Sequence, residues 1–198
     1  MLITRASIYG YRNYTYGYSV EQAHTATNMI MWDVILGQRT GYGHGTCSWV
    51  TSCPSTIENC YNKILDAMST HTNRPSINNT IVTLKGTGES NAVTLTDTNG
   101  VLSNFNITSG NSNIKFSQSG NKLKIWCTAN GNYSGAVNMV KKNTDISSSL
   151  ALIGANQTVL YGSISDPVPA RVTVNVQSLK CNVSVAKQDS ENNSFHRC

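Results

Sequence analysis

Four groups of side chains in this chain have types and spacings suited to chemistry. His44, Cys47, Cys53 and Cys60 offer the thiolates and imidazole that zinc prefers. Structural zinc sites bring such ligands in close paired knuckles, whereas the gaps here are irregular and Cys60 falls on an apolar helical stripe, so no metal is expected. A cysteine nucleophile would need a neighbouring base, and His24, His44 and His71 are available. No oxyanion-hole or nucleophile-turn pattern surrounds any cysteine, and the ten acidic residues are too scattered to suggest paired carboxylates, so no enzyme is expected. Tyr9, Tyr11, Tyr14, Tyr16 and Tyr18 form a cluster whose faces suit stacking on sugars, although tyrosines on a half-buried edge strand or loop give the same pattern more often. The fourth is Asn28, a polar residue inside the apolar run "HTATNMIMWDVILGQRTG", for which a satisfied amide at a helix interface is the default account.

The elements that position these groups fall into two regions. Ser19 with Gln22 has the spacing of a capping box. Ala23, Ala26, Thr27, Ile30, Met31 and Val34 then recur at helical intervals, Met29, Trp32 and Leu36 widen the apolar surface, and Gly37 supplies a stop. Ser55 and Glu58 open a second helix in the same way, carrying Ile57, Cys60, Tyr61, Ile64, Leu65 and Met68, with His71 at its end and Pro75 beyond. A glycine-rich loop joins the two. From Thr80 onward the period changes to two, in runs such as "TIVTL", "AVTLT", "KLKIWC" and "ARVTVNV" separated by Asn-Gly, Ser-Gly and Asp-Pro turns. The expected fold class is α+β: an antiparallel β-sandwich with a small helical subdomain, the helical lobe over about 19–74 and the β-rich body over about 80–178. The opening "ITRASIYGYRNYTYGY" reads as an entering strand and loop.

Charged residues make up 13% of the 198, and the net charge of +5 is spread with no basic run longer than Lys141-Lys142, which argues against nucleic acid as a partner. The longest apolar run, Met29 to Leu36, is broken by Asp33 and is too short to span a bilayer, so no membrane insertion is expected. No export signal follows Met1; an exported protein would carry one upstream. The six cysteines allow many pairings, and mostly free thiols with one bridge inside the Cys47–Cys60 group is the simplest reading.

The segment "ATNMIMWDVILGQRTG" resembles the helix motif of bacterial thioester domains, which sit at the tips of surface adhesins of Gram-positive bacteria. In that family a Thr-Gln pair precedes an apolar stretch with Trp and an acidic residue, then Gly and Arg; Thr27, Trp32, Asp33, Gly37 and Arg39 stand in the matching places. The likeness continues through "YNKILDAMSTHTNRPS", "VTLTDTNGVLSNF" and "DPVPA", so it covers residues 5–178. It implies a domain over 1–178 in which a cysteine from an early strand condenses with the glutamine side chain, releasing ammonia. The resulting thioester acylates a host amine without any cofactor. Here the glutamine position holds Asn28, with its carbonyl drawn back by about 1.5 Å, and no cysteine precedes Cys47. Misplacement on that scale defeats proximity chemistry, so Asn28 is expected to be a degenerate thioester position. Residues 179–198, including "NVSVAKQDSENNSF", resemble the start of a Cna-B-type stalk domain, which implies Lys187 as an isopeptide lysine whose partners lie on later strands. The expected protein is thus a fragment of an extracellular, cell-wall-anchored adhesin whose partner is a host surface or matrix protein or a glycan. The alternatives are a non-covalent carbohydrate- or protein-binding sandwich and a structural surface stalk.

Overall fold

The computed structural model describes residues 2–45, 52–144 and 165–179, together with the backbone of 149–152 and 160–163. Among the described residues three helices lead and nine strands come after them; the helices are α1 (Leu2–Tyr9), α2 (Val20–Ile35) and α3 (Ser55–Ser69). The strands are β1 (Ile81–Lys85), β2 (Val93–Thr96), β3 (Phe105–Ser109), β4 (Ile114–Ser119), β5 (Lys122–Cys127), β6 (Tyr133–Lys141), β7 (Ser149–Leu152), β8 (Leu160–Ser163) and β9 (Pro169–Gln177). A four-stranded sheet runs β1-β9-β6-β3, a three-stranded one β2-β5-β4, and β7 pairs with β8. The fold class is α+β, with a mostly antiparallel sandwich carrying a helical lobe; the exception is the parallel pair β1–β9. The alternation in β9 buries Ala170, Val172, Val174 and Val176, and these meet Leu123, Ile125 and Ile114 of the smaller sheet in one apolar core.

In the lobe, the Ser19–Gln22 capping box forms as its spacing predicts, and Gly37 takes a left-handed φ of 71° just past the end of α2. The Ser55–Glu58 box does not form. Pro54 occupies the N-cap position of α3, which pushes Ser55 into the helix and leaves the end without a side-chain cap. The opening segment is the larger difference: α1 is a helix where a strand was expected, so the lobe begins at residue 2 rather than near 19. The β-branched residues of "LITRASIY" favour a strand locally, but packing against α2 and α3 buries Ala6 and Ile8 completely and overrides that preference. Gly10 ends α1 against α2. A Cβ there would lie 2.4 Å from the Thr27 methyl, so only glycine lets the chain pass this close.

Candidate functional site

Asn28 is half-buried on α2, one residue after the fully packed Thr27. Its side-chain amide lies 3.1 Å from Nε2 of His24, one helical turn earlier, and among the described residues it has no other hydrogen-bond partner. The chain leaving α1 lies alongside. The Tyr11 backbone N–H donates to Thr27 Oγ1 at 3.0 Å, and the Tyr11 ring stands edge-on to His24 at 4.6 Å. Thr27 in turn donates to Ala23 O at 2.7 Å. The segment leaving α1 therefore meets Thr27 and His24, the residues flanking Asn28 on α2, through a helix end and turn instead of a strand.

The supporting motif residues have a different task. Asp33 is 2% exposed and accepts the hydroxyl proton of Tyr61 on α3. Arg39 donates through Nε to that same hydroxyl at 2.7 Å, lies over the Tyr61 ring, and donates to the carbonyls of Gly41 at 3.0 Å and Gly43 at 2.7 Å. Burial and the Asp33 bond push the Tyr61 hydroxyl well above its ordinary range, so it remains a donor. The Asp33–Tyr61–Arg39 chain thus ties α2, α3 and the glycine-rich loop together, while Trp32 is half-buried beside it in sequence.

The zinc grouping is not assembled. Cys53 is in a disulfide, Cys60 is a free buried thiol on α3, and His44 pairs with Asp66 at 2.6 Å. Burial also raises the Cys60 thiol, which leaves it little nucleophilic thiolate. Cys47, Cys181, Cys198 and Lys187 lie outside the described residues, as does the resembling Cna-B segment. Among the described residues no histidine bonds a cysteine.

The seam between lobe and sandwich holds polar groups of which motif reading singled out only His71 and Tyr9, and it did not bring them together with Arg5, Asp166 and Lys141. Arg5 of α1 donates to Asp166 Oδ2 at 3.1 Å, and His71 Nε2 sits 3.0 Å from the same oxygen without the alignment of a hydrogen bond. The other ring nitrogen of His71 is 3.2 Å from the Tyr9 hydroxyl. Lys141, 7% exposed at the end of β6, donates to Thr70 O at 2.6 Å and His71 O at 3.0 Å, the carbonyls that close α3. Burial, and then the nearby Arg5 cation, lower its ammonium from 10.5 to about 8. Burial and Arg5 likewise lower His71, against the opposing pull of Asp166. The period-two pattern of "AVNMVK" carried the missed signal, because Lys141 falls on the inward face with Val137 and Met139.

The tyrosine cluster is folded onto this seam. Tyr9 is buried, and Tyr11, Tyr14, Tyr16 and Tyr18 are half-buried against the helical core. Tyr14 and Tyr16 stack at 5.8 Å, Tyr16 donates its hydroxyl to Tyr9 O at 2.8 Å, and Asn143 Nδ2 donates to the Tyr14 hydroxyl at 2.9 Å.

This arrangement of a three-helix lobe on a two-sheet sandwich is the fold of a thioester domain. The thioester domain of the Staphylococcus aureus TIE protein superposes with a TM-score of 0.64 at 18% identity, over 89% of this chain and 70% of that one. The Bacillus anthracis TIE protein aligns with 89% of this chain and 38% of its own, at 16% identity and a TM-score of 0.35. No protein-family model and no curated protein matches the sequence.

Proposed function

We propose that this chain is the adhesive domain of a Gram-positive surface protein, extracellular and wall-anchored in its full-length form, and that it holds its partner without a thioester. The single observation that carries the reading is the thioester-domain fold with Asn28 on α2 beside the segment that leaves α1. The acyl carbon needed for a thioester sits one methylene short of where glutamine would hold it. Its amide is engaged with His24 instead of a thiol. Adhesion is then non-covalent, to a host surface or matrix protein, with no cofactor and no catalytic turnover. Lys187 belongs, in this reading, to a following Cna-B-type module.

Intact-mass spectrometry of the full-length protein tests the absence of the bond. The expected mass is that of the unmodified chain, unchanged by methylamine. A deficit of one ammonia, followed on methylamine treatment by the gain of one methylamine and a free thiol, would show Asn28 competent. Capture of host matrix proteins that survives a native wash and is lost in denaturant tests adhesion itself, and failure to capture any of them removes it.

A second reading, a carbohydrate-binding module, is favoured by one feature: the stacked Tyr14 and Tyr16 rings border a cavity at the seam. Glycan binding lost on changing Tyr14 and Tyr16 to alanine would support it, and binding indifferent to both changes would count against this surface.

A further inference from the structure

Between the tyrosine turn after α1 and the end of β6 lies a cavity of about 210 Å³. Tyr9, Tyr14 and Tyr16 line it together with Lys141, Lys142 and Asn104. Lys141 is the informative member. The residue as a whole is only 7% exposed, and its ammonium donates to the carbonyls of Thr70 and His71. Those bonds use two of its three N–H groups. Asp166, the carboxylate of the seam, is already paired with Arg5 and lies 3.0 Å from His71 Nε2, and none of the ion pairs among the described residues includes Lys141. Arg5 adds a second cation. A buried ammonium with neutral acceptors alone is costly, and an anion entering the cavity would relieve that cost. With its ionisation lowered only to about 8, Lys141 is still mainly charged at neutral pH.

The rim fits the rest of a ligand. Lys142 donates to Ser103 O at 2.8 Å and has no carboxylate partner among the described residues. The side-chain amide of Asn104 has no hydrogen-bond partner among them either and is exposed. Tyrosine faces suit the C–H face of a sugar ring while hydroxyls bond to amides and ammonium groups. The cavity is smaller than the ~300–1,000 Å³ typical of drug-sized ligands, which limits the buried part to a single ring.

We propose that this cavity is a subsite for one hexuronic acid residue of a glycan, its carboxylate facing Lys141 and Lys142 and its ring against Tyr14 and Tyr16. The inference rests on the second reading above and gives it a ligand class.

Titration of the whole chain with methyl glucuronide, methyl glucoside and acetate, followed by NMR shifts of the Lys141 and Tyr14 side chains, tests it. The glucuronide is expected to shift both signals and to bind at least tenfold more tightly than either comparison compound, with affinity falling as salt is added. Lys142→Ala, at the exposed rim, is expected to weaken glucuronide several-fold, and Lys141→Met at least tenfold. Should Lys141→Met fail to fold, the signals of the unaltered protein and the Lys142→Ala titration decide. Equal binding of the glucoside, equal binding of acetate, or no glucuronide binding overturns the assignment. A glycan array run in parallel separates two failures: glycans held by the Lys142→Ala and unaltered proteins alike, with unmoved Lys141 signals, remove the cavity and leave the module, whereas no glycan held removes both.

Discussion

The β body and the helical lobe bury very different things. Between the two sheets the core is aliphatic and aromatic, from Val82 and Leu84 on β1 to Val172 and Val174 on β9, and the buried carboxylate of Asp97 lies in a loop outside the strands. Asp97 is fully occupied. It accepts the backbone N–H groups of Ser76, Asn99, Val101 and Leu102 at 2.7–3.1 Å, pinning the linker after α3 to the loop after β2. The lobe and its seam bury Arg5, Asp33, His71 and Lys141, and these polar groups hold helices, loop and sandwich together. Buried polarity is costly unless paired, so its concentration on one side divides the labour. The sandwich is a scaffold, and the groups with chemical potential stand where the lobe meets it.

That contrast can be broken at four points. The largest effect belongs to the apolar cores. Ile125→Ala in the sandwich and Ile64→Ala in α3 each remove a fully buried side chain and are expected to cost about 2–5 kcal/mol. If lobe and body are one cooperative unit, urea melts followed by circular dichroism shift to the same single transition for both variants. A transition splitting in the Ile64 variant alone would make the lobe a separate folding unit.

Asp97→Ala comes next, at about 2–4 kcal/mol, because it orphans backbone donors in a nearly sealed turn. Burial pushes that carboxyl up, but the four backbone N–H groups outweigh it and hold the acid below its ordinary range. A depressed acid stabilises the fold above its unfolded value, and the contribution fades as pH falls through the folded one. Acid melts of the native protein and of the variant should converge at low pH; a constant gap would refute the linkage.

The seam should show the same sign in a different, alkaline window. Between about 8 and 10.5 the unfolded chain keeps the Lys141 proton that the folded chain has lost, so stability rises with pH across that window, on the order of 1–3 kcal/mol. Above about pH 10 it falls again, because Tyr9, Tyr16 and Tyr61 are raised by burial and stay protonated only when folded. Melting temperatures across this range read both limbs, and Lys141→Met should abolish the rise while keeping the fall. The smallest effects are on the exposed face of α2. Ser19→Ala should cost about 1 kcal/mol through its lost cap, and Asn28→Ala within about 0.5 kcal/mol, since its amide touches only a neighbouring His24 ring. A larger penalty at Asn28, read by thermal melts, would mean that the site is structurally engaged.

Much of this organisation was legible without coordinates. The stripe of α2, its Ser19 cap and the stripe of α3 are local patterns, and so is the alternation of β1 through β6 and β9. The short strand β7 escaped, because "SLAL" has no turn signals around it strong enough to mark it. The seam escaped for a different reason. Arg5, His71, Asp166 and Lys141 are far apart in the chain, and nothing in their local spacing shows that they meet.

By itself, then, the order of residues determined which segments could be amphipathic helices, which could be pleated strands, and that an asparagine interrupts an apolar helical run at position 28. These properties depend on neighbours a few residues away. Only tertiary structure decided that "LITRASIY" coils instead of extending, that β1 lies parallel to β9, and that a lysine is sealed against tyrosines. Each of those outcomes is set by burial against a partner distant in the chain, and the free energy of that contact exceeds what local preference can oppose.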